Sequence, residues 1–210
     1  MGAVSRYIAI EGPIGVGKTT LTHRLAADLQ ANLLLEAPDD NPFLKGFYDN
    51  PERYAFQAQL CFLLQRAGQI DGLRQPDLFA EPVTVADFFF DKDPLFAELT
   101  LAAGDYGLYR ELFNRLAWAA PVPDVVVYLY ASSDVLVRRV GQRGRASEQS
   151  LDADYLQRVA ARYQAFFADY QHPHLVIVDA EAMDLVADEA AYAAVRDAVE
   201  GPPGRVHLPG

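Results

Sequence analysis

An α/β fold, a five-stranded parallel sheet flanked by helices, is predicted by three features of this 210-residue chain. The first is a set of short apolar, β-branched-rich runs: Tyr7 to Ile10, Leu33 to Leu35, Val83 to Val85, Val125 to Tyr130 and Leu175 to Val178. They are continuous rather than alternating, the pattern of strands buried on both faces. The second is that segments with helical spacing lie between the runs, and strands separated by helices assemble into a parallel sheet. The third is a glycine-rich loop between the first run and the helix-like stretch Thr20 to Gln30.

That loop, Gly12-Pro13-Ile14-Gly15-Val16-Gly17-Lys18-Thr19, fits G-x-x-x-x-G-K-[ST] and continues into Thr20. Its position between a strand and a helix makes it a phosphate-binding loop. Glycines let successive backbone N–H groups converge on a polyphosphate, and the following helix aims its positive dipole end at the same anion. Lys18 then reaches the β- and γ-phosphates, and Thr19 offers a hydroxyl to Mg2+.

The longer helical segments are Pro51 to Gly72, Pro94 to Leu116, Asp152 to Tyr170 and Leu185 to Val199. Asn50-Pro51 and Asp93-Pro94 each place an N-cap residue before a first-turn proline. Gly201-Pro202-Pro203-Gly204 ends the last helix, and the short remainder reads as a mobile tail, 201–210, after a single domain, 1–200.

Composition narrows the function. A net charge of −11 and a pI near 4.7 exclude broad duplex binding, which needs extended basic surfaces. Any anion site is therefore local, and Arg138, Arg139, Arg143 and Arg145 form a cationic island against the acidic background. The one cysteine, Cys61, excludes an internal disulfide, and its apolar neighbours make it a buried hydrophobe. No apolar run approaches a membrane span, and Met1 to Arg6 carries neither a signal-peptide core nor a myristoylation pattern, so a cytoplasmic location is expected.

In such sheets ligands sit beyond the carboxyl ends of the strands. The residues there are the phosphate loop, then Glu36, Asp87, Ser132-Ser133-Asp134 and Asp179. Glu36 brings a carboxylate to the phosphate acceptor, where it could take the proton of an attacking hydroxyl. Asp87 stands where an acid holds the Mg2+ shell, so Thr19 and Asp87 are the candidate metal contacts. The arginine island suits a lid, about 138–150, closing over a triphosphate, with Glu148 near whatever it covers. On the helix opened by Pro51, Gln59 carries donors and an acceptor that could read a nucleobase edge.

With these pieces in order, the chain resembles the deoxyribonucleoside kinase family, including bacterial deoxyadenosine and deoxyguanosine kinases, over roughly residues 5 to 180. The likeness rests on Ile10 to Thr20, on Phe47-Tyr48-Asp49-Asn50-Pro51-Glu52-Arg53-Tyr54-Ala55-Phe56, and on Gln142-Arg143-Gly144-Arg145-Ala146-Ser147-Glu148 followed by Asp154-Tyr155-Leu156. The resemblance implies a P-loop kinase fold with a helical lid. It also implies transfer of the γ-phosphoryl of ATP, with Mg2+, to the 5'-hydroxyl of a deoxyribonucleoside, a purine one for preference. It casts Glu36 as general base, Tyr48 and Glu148 as holders of the sugar 3'-hydroxyl, and Gln59 as reader of the base. Arg139, Arg143 and Arg145 match lid arginines, and a homodimer is expected by analogy.

One departure stands out. The family usually shows an arginine after the acid of the third strand, whereas this chain reads Asp87-Phe88-Phe89. Lys92, one of three lysines, could supply the charge from another backbone position. Three other readings compete. A thymidylate-kinase-like monophosphate kinase would need more cations at the strand ends to bind an acceptor phosphate. A GTP-binding switch would need an N-K-x-D element, which is absent. A non-catalytic nucleotide-binding module would fit the loss of that arginine, but Lys18, Thr19, Glu36 and Asp87 are all retained.

Overall fold

A computed structural model describes residues 6–74, 83–117, 120–145, 148 and 150–210. The reading of residues 1–5, and of lid residues 146, 147 and 149, lies outside them.

The strands are β1 (Arg6–Glu11), β2 (Asn32–Leu34), β3 (Val83–Ala86), β4 (Val125–Tyr130), β5 (Leu175–Asp179) and β6 (Arg205–Leu208). They form one sheet in the order β2-β3-β1-β4-β5-β6, with every neighbouring pair parallel. The expected five strands are there, and a sixth lies in the segment expected to be a mobile tail. This corrects the sequence reading: Gly204 O accepts from the Leu175 amide at 3.0 Å, and Arg205–Leu208 then pair along β5. Only Val206 and Leu208 of this edge strand are half-buried, which left too little apolar signal to mark it. The opposite edge departs as well, because Leu33 of β2 is 44% exposed rather than buried on both faces.

Alternation sorts the central strands between two cores. Ile8, Ile10, Val85, Val127, Leu129, Val176 and Val178 pack with Leu21 and Leu25 of α1 (Lys18–Asp28) and with Tyr192, Val195 and Val199 of a C-terminal helix, Glu189–Glu200. Tyr7, Ala9, Ala86, Val126, Tyr128 and Ile177 pack on the other face with Leu95, Val159, Tyr163 and Phe167.

The helices between are α2 (Leu44–Asp49), α3 (Pro51–Arg74), α4 (Asp93–Thr100), α5 (Ala103–Ala117), α6 (Ser133–Arg143) and α7 (Ala153–Asp169), so Glu189–Glu200 is α8. The segment expected as one helix from Pro94 is two, because Leu101 is extended at ψ 141. Asn50 caps α3 through its side chain, accepting from Arg53 N at 3.4 Å. Asp93 does not cap α4. It is the first helical residue, and its carboxylate is taken by Arg66.

The chain leaves β1 for α1 on one face and β3 for α4 on the other. This switch opens a crevice at the carboxyl ends of the two strands.

Candidate active site

The phosphate loop fills that crevice. Gly12 has φ +154 and lies so close to β4 that an added Cβ would stand 2.4 Å from Leu129 O. Gly15, at φ +84, is pressed against α6, where a Cβ would meet Val140 Cγ2 at 2.8 Å. Glycine is needed at both positions for space as well as for dihedral angle. Pro13 O closes the turn by accepting from Val16 N at 3.3 Å. Lys18 Nζ folds back onto Gly12 O at 2.7 Å and Pro13 O at 3.2 Å. Burial, then the neighbouring Lys92, lowers the Lys18 ammonium pKa below the ordinary lysine value.

Two cavities open from this loop. The larger, about 640 Å³, is lined by Gly15, Val16, Gly17, Lys18, Thr19, Thr20 and Arg139, with Ala180, Glu181 and Met183 to Val186 opposite. The smaller, about 260 Å³, is lined by Ile14, Glu36, Tyr48, Gln59, Asp87 and Glu148 among others. Gly15, Lys18, Thr19, Arg143 and Arg145 line both. The two spaces therefore share a wall made of the loop lysine, the loop threonine and two lid arginines.

Asp87 joins that wall to the acceptor side. Its Oδ2 accepts from Thr19 Oγ1 at 2.7 Å and its Oδ1 from the Glu36 amide at 2.7 Å. Glu36 is itself tied down by cations: Arg66 Nε donates to Oε1 at 2.7 Å, and Lys92 Nζ stands 2.8 Å from the same oxygen. Burial pushes the Glu36 pKa up, but Arg66, Lys92 and Lys18 together outweigh it and hold the carboxyl well below the usual range. Glu36 is thus ionised throughout the neutral range and is a weak base.

Behind it lies a buried ionic chain that sequence reasoning missed. Glu11 accepts from Gly12 N at 3.0 Å, from Phe89 N at 3.3 Å and from Tyr163 Oη at 2.9 Å, and lies 3.5 Å from Lys92 Nζ. Burial pushes the Glu11 pKa up. Arg66 bridges Glu36 to Asp93. One signal could have found Arg66: it follows Gln59 by seven residues, two helical turns along the same face of α3.

Tyr48 and Gln59 sit on α2 and α3 and face the smaller cavity together. Burial pushes the Tyr48 phenol far up, so it remains a neutral hydrogen-bonding group. Glu148 pairs with Arg143, whose Nε donates to Oε2 at 3.2 Å, and Arg145 lies 3.9 Å away. Arg139 is placed apart from these two. It donates to Val16 O at 3.2 Å and Ala180 O at 2.8 Å, clamping α6 to the loop and to the end of β5. Asp179 forms a turn instead of facing either cavity, accepting from the amides of Glu181 and Ala182 at 3.0 and 3.1 Å.

The sequence model of the family described as deoxynucleoside kinase matches residues 8–201, nearly the whole chain. The chain belongs to the deoxynucleoside kinase family. Among its relatives in the family, a deoxyguanosine kinase of Bacillus subtilis is 32% identical over 190 residues, covering 89% of this chain and 92% of its own. A deoxyadenosine/deoxycytidine kinase of the same organism is 30% identical, covering 91% and 90%. Among solved structures, a deoxyadenosine kinase of M. mycoides with bound dATP superposes with a TM-score of 0.80 at 22% identity. That alignment covers 93% of this chain and 100% of the other, and it bears out the fold. Among the described residues no helix is long and apolar enough to cross a membrane.

Proposed function

We propose that this deoxynucleoside kinase transfers the γ-phosphoryl of ATP to the 5'-hydroxyl of a purine deoxyribonucleoside. The observation that carries the reading is the shared wall. One cavity runs along the phosphate loop, the other holds a carboxylate and polar side chains suited to a nucleoside, and Lys18, Thr19, Arg143 and Arg145 stand between them. Purine preference is supported by relatives named deoxyguanosine kinase and deoxyadenosine kinase, while the deoxyadenosine/deoxycytidine kinase keeps one pyrimidine among the substrates to be tested. A cytoplasmic location, where ATP is at hand, is part of the same proposal.

The donor lies in the larger cavity, its phosphates on the backbone N–H groups from Gly12 to Thr20, with Lys18 released from its own loop carbonyls onto them. The deoxynucleoside lies in the smaller one, with its base edge at Gln59 and its 3'-hydroxyl at Tyr48 and Glu148. Arg143 and Arg145 close from the lid onto the transferring group, while Arg139 anchors the helix they hang from. Glu36 accepts the 5'-hydroxyl proton late, as suits a weak base and a loose transition state, and its larger contribution is to orient that hydroxyl.

Mg2+ fits the residues present. Among the described residues no group of three His, Cys, Asp or Glu gathers, while the Thr19 hydroxyl and the Asp87 carboxylate meet at the shared wall. Magnesium usually takes one or two protein oxygens and completes its shell from phosphates and water. When bound it neutralises charge on the phosphate oxygens.

A monophosphate acceptor is disfavoured by pairing. In the smaller cavity Arg66 and Lys92 are held by Glu36, so these two cations are already engaged. A homodimer is kept as the expected assembly, supported by the exposed Leu64 of α3 and Leu108 of α5, and sedimentation velocity would test it.

The deciding experiment is Mg2+-dependent ATP turnover with each of the four deoxynucleosides, and with dTMP and dCMP as controls, the product confirmed by mass. Deoxyadenosine or deoxyguanosine should be converted to its 5'-monophosphate. Turnover confined to dTMP or dCMP would replace this reading with a monophosphate kinase.

A further inference from the structure

Among the described residues Lys92 is the most deeply buried cation. It is 1% exposed, on a 3₁₀ turn, Phe90–Lys92, that enters α4, and it is among the largest side chains buried to this degree. Burying an ammonium is costly unless it is paired, so its surroundings should show what it is there for. Its Nζ stands between Glu36 Oε1 at 2.8 Å and Glu11 Oε2 at 3.5 Å. Glu11 is in turn fixed by two backbone amides and the Tyr163 hydroxyl, so Lys92 has a rigid partner behind it and a cavity-lining partner in front.

Phe88 shows the other half. Its side chain is wholly buried, in the core cluster with Leu63, Tyr109 and Phe113, and it does not line the cavity. The residue next to Asp87 therefore reaches away from the acceptor site in this chain, and positive charge arrives there from four positions further on.

Building on the kinase reading above, we propose that Lys92 is the positioning residue of Glu36. From the Glu11 anchor it holds Oε1 against Arg66 and so leaves Oε2 to meet the acceptor hydroxyl. The contacts of Arg66 and of Lys92 converge on that one oxygen, and one carboxylate oxygen held by two cations from different elements fixes the plane of the other. Arg66 comes from α3, Lys92 from the turn before α4, Glu11 from β1, Tyr163 from α7, and Asp87 holds the Glu36 backbone from the end of β3. A lone arginine could pin the carboxylate and still let it swing. Two cations cannot.

The test starts from wild-type turnover with its best deoxynucleoside. If there is none, the kinase reading fails and Lys92 is not at issue. Given turnover, Lys92→Met should lower kcat at least tenfold with KM for ATP within about twofold, since positioning is realised in the transition state. Lys92→Arg should recover part of the loss. Because two buried carboxylates facing each other can unfold the single variant, Glu11→Gln/Lys92→Met is made alongside and should show the same kcat loss. In the wild type, the Lys92 ammonium should give a slowly exchanging 15N-correlated NMR signal that shifts when deoxynucleoside binds. A kcat within twofold of wild type in either folded variant, or an ammonium signal indifferent to the nucleoside, would overturn the proposal.

Discussion

The backbone amide of Glu36 donates to Asp87 Oδ1 over 2.7 Å while Asp87 Oδ2 receives the Thr19 hydroxyl over the same distance. One carboxylate thus sets the register between the segment leaving edge strand β2, which carries the acceptor-side acid, and the phosphate loop. Asp87→Ala releases both at once. It should cost about 100-fold or more in kcat, the size of losing a preorganised electrostatic contact. Retained activity would mean that Asp87 is a structural cap only.

Glu36→Gln keeps the shape and removes the proton acceptor, so kcat should fall by roughly 10²–10⁴ with substrate binding largely intact. Single-turnover kinetics separate that from a binding defect. The same variant leaves Arg66 and Lys92 short of a counter-charge, so its melting temperature should also fall.

Gln59 is buried at the acceptor cavity, 4% exposed. Gln59→Leu should leave a base edge unpaired and reduce kcat/KM for the deoxynucleoside by about 10- to 100-fold, the equivalent of roughly 1–3 kcal/mol. The KM for ATP should hardly move. A loss shared equally between the two substrates would argue against base reading.

Glu11 supplies a test with a definite sign. Burial raises its folded-state pKa above 4.5, so its stabilising contribution is fully present below that value and is lost as pH rises through the folded pKa. Glu11→Gln removes this dependence. Urea denaturation should find the variant's stability rising relative to wild type as pH is raised above 4.5. A difference that runs the other way would mean that Lys92 more than compensates the desolvation.

Gly12→Ala places a Cβ 2.4 Å from a backbone oxygen at φ +154. Neither the angle nor the carbonyl can yield cheaply, so a loss of about 3 kcal/mol or more is expected in chemical denaturation. Gly68→Ala serves as the control: a Cβ there meets nothing within 4 Å, so the change should be neutral or stabilising.

What could be read from sequence was what local spacing encodes. The phosphate loop, Glu36 and Asp87 follow apolar runs by fixed offsets, and Tyr48, Gln59 and Glu148 came with the motif segments around them; all of these line the smaller cavity or its wall. Glu11 and Tyr163 were invisible because they meet across 152 positions, and Arg66 showed only its spacing from Gln59 while its partners lie 27 and 30 positions away. Asp93 misled because a residue before proline looks like a cap, and nothing local announces an arginine waiting on another helix. β6 escaped notice for the opposite reason. An edge strand needs apolar residues on one face only, and four residues offer little pattern.

The place of β6 also bears on how the chain reaches this state. Synthesis runs from the N-terminal side, so β1 to β5 can assemble while the outer edge of β5 is still bare, with its N–H and C=O groups open to any extended segment nearby. That edge is closed only when Arg205–Leu208 emerge after α8. Without those four residues the flank of β5 would stay open, a surface on which another extended chain could pair.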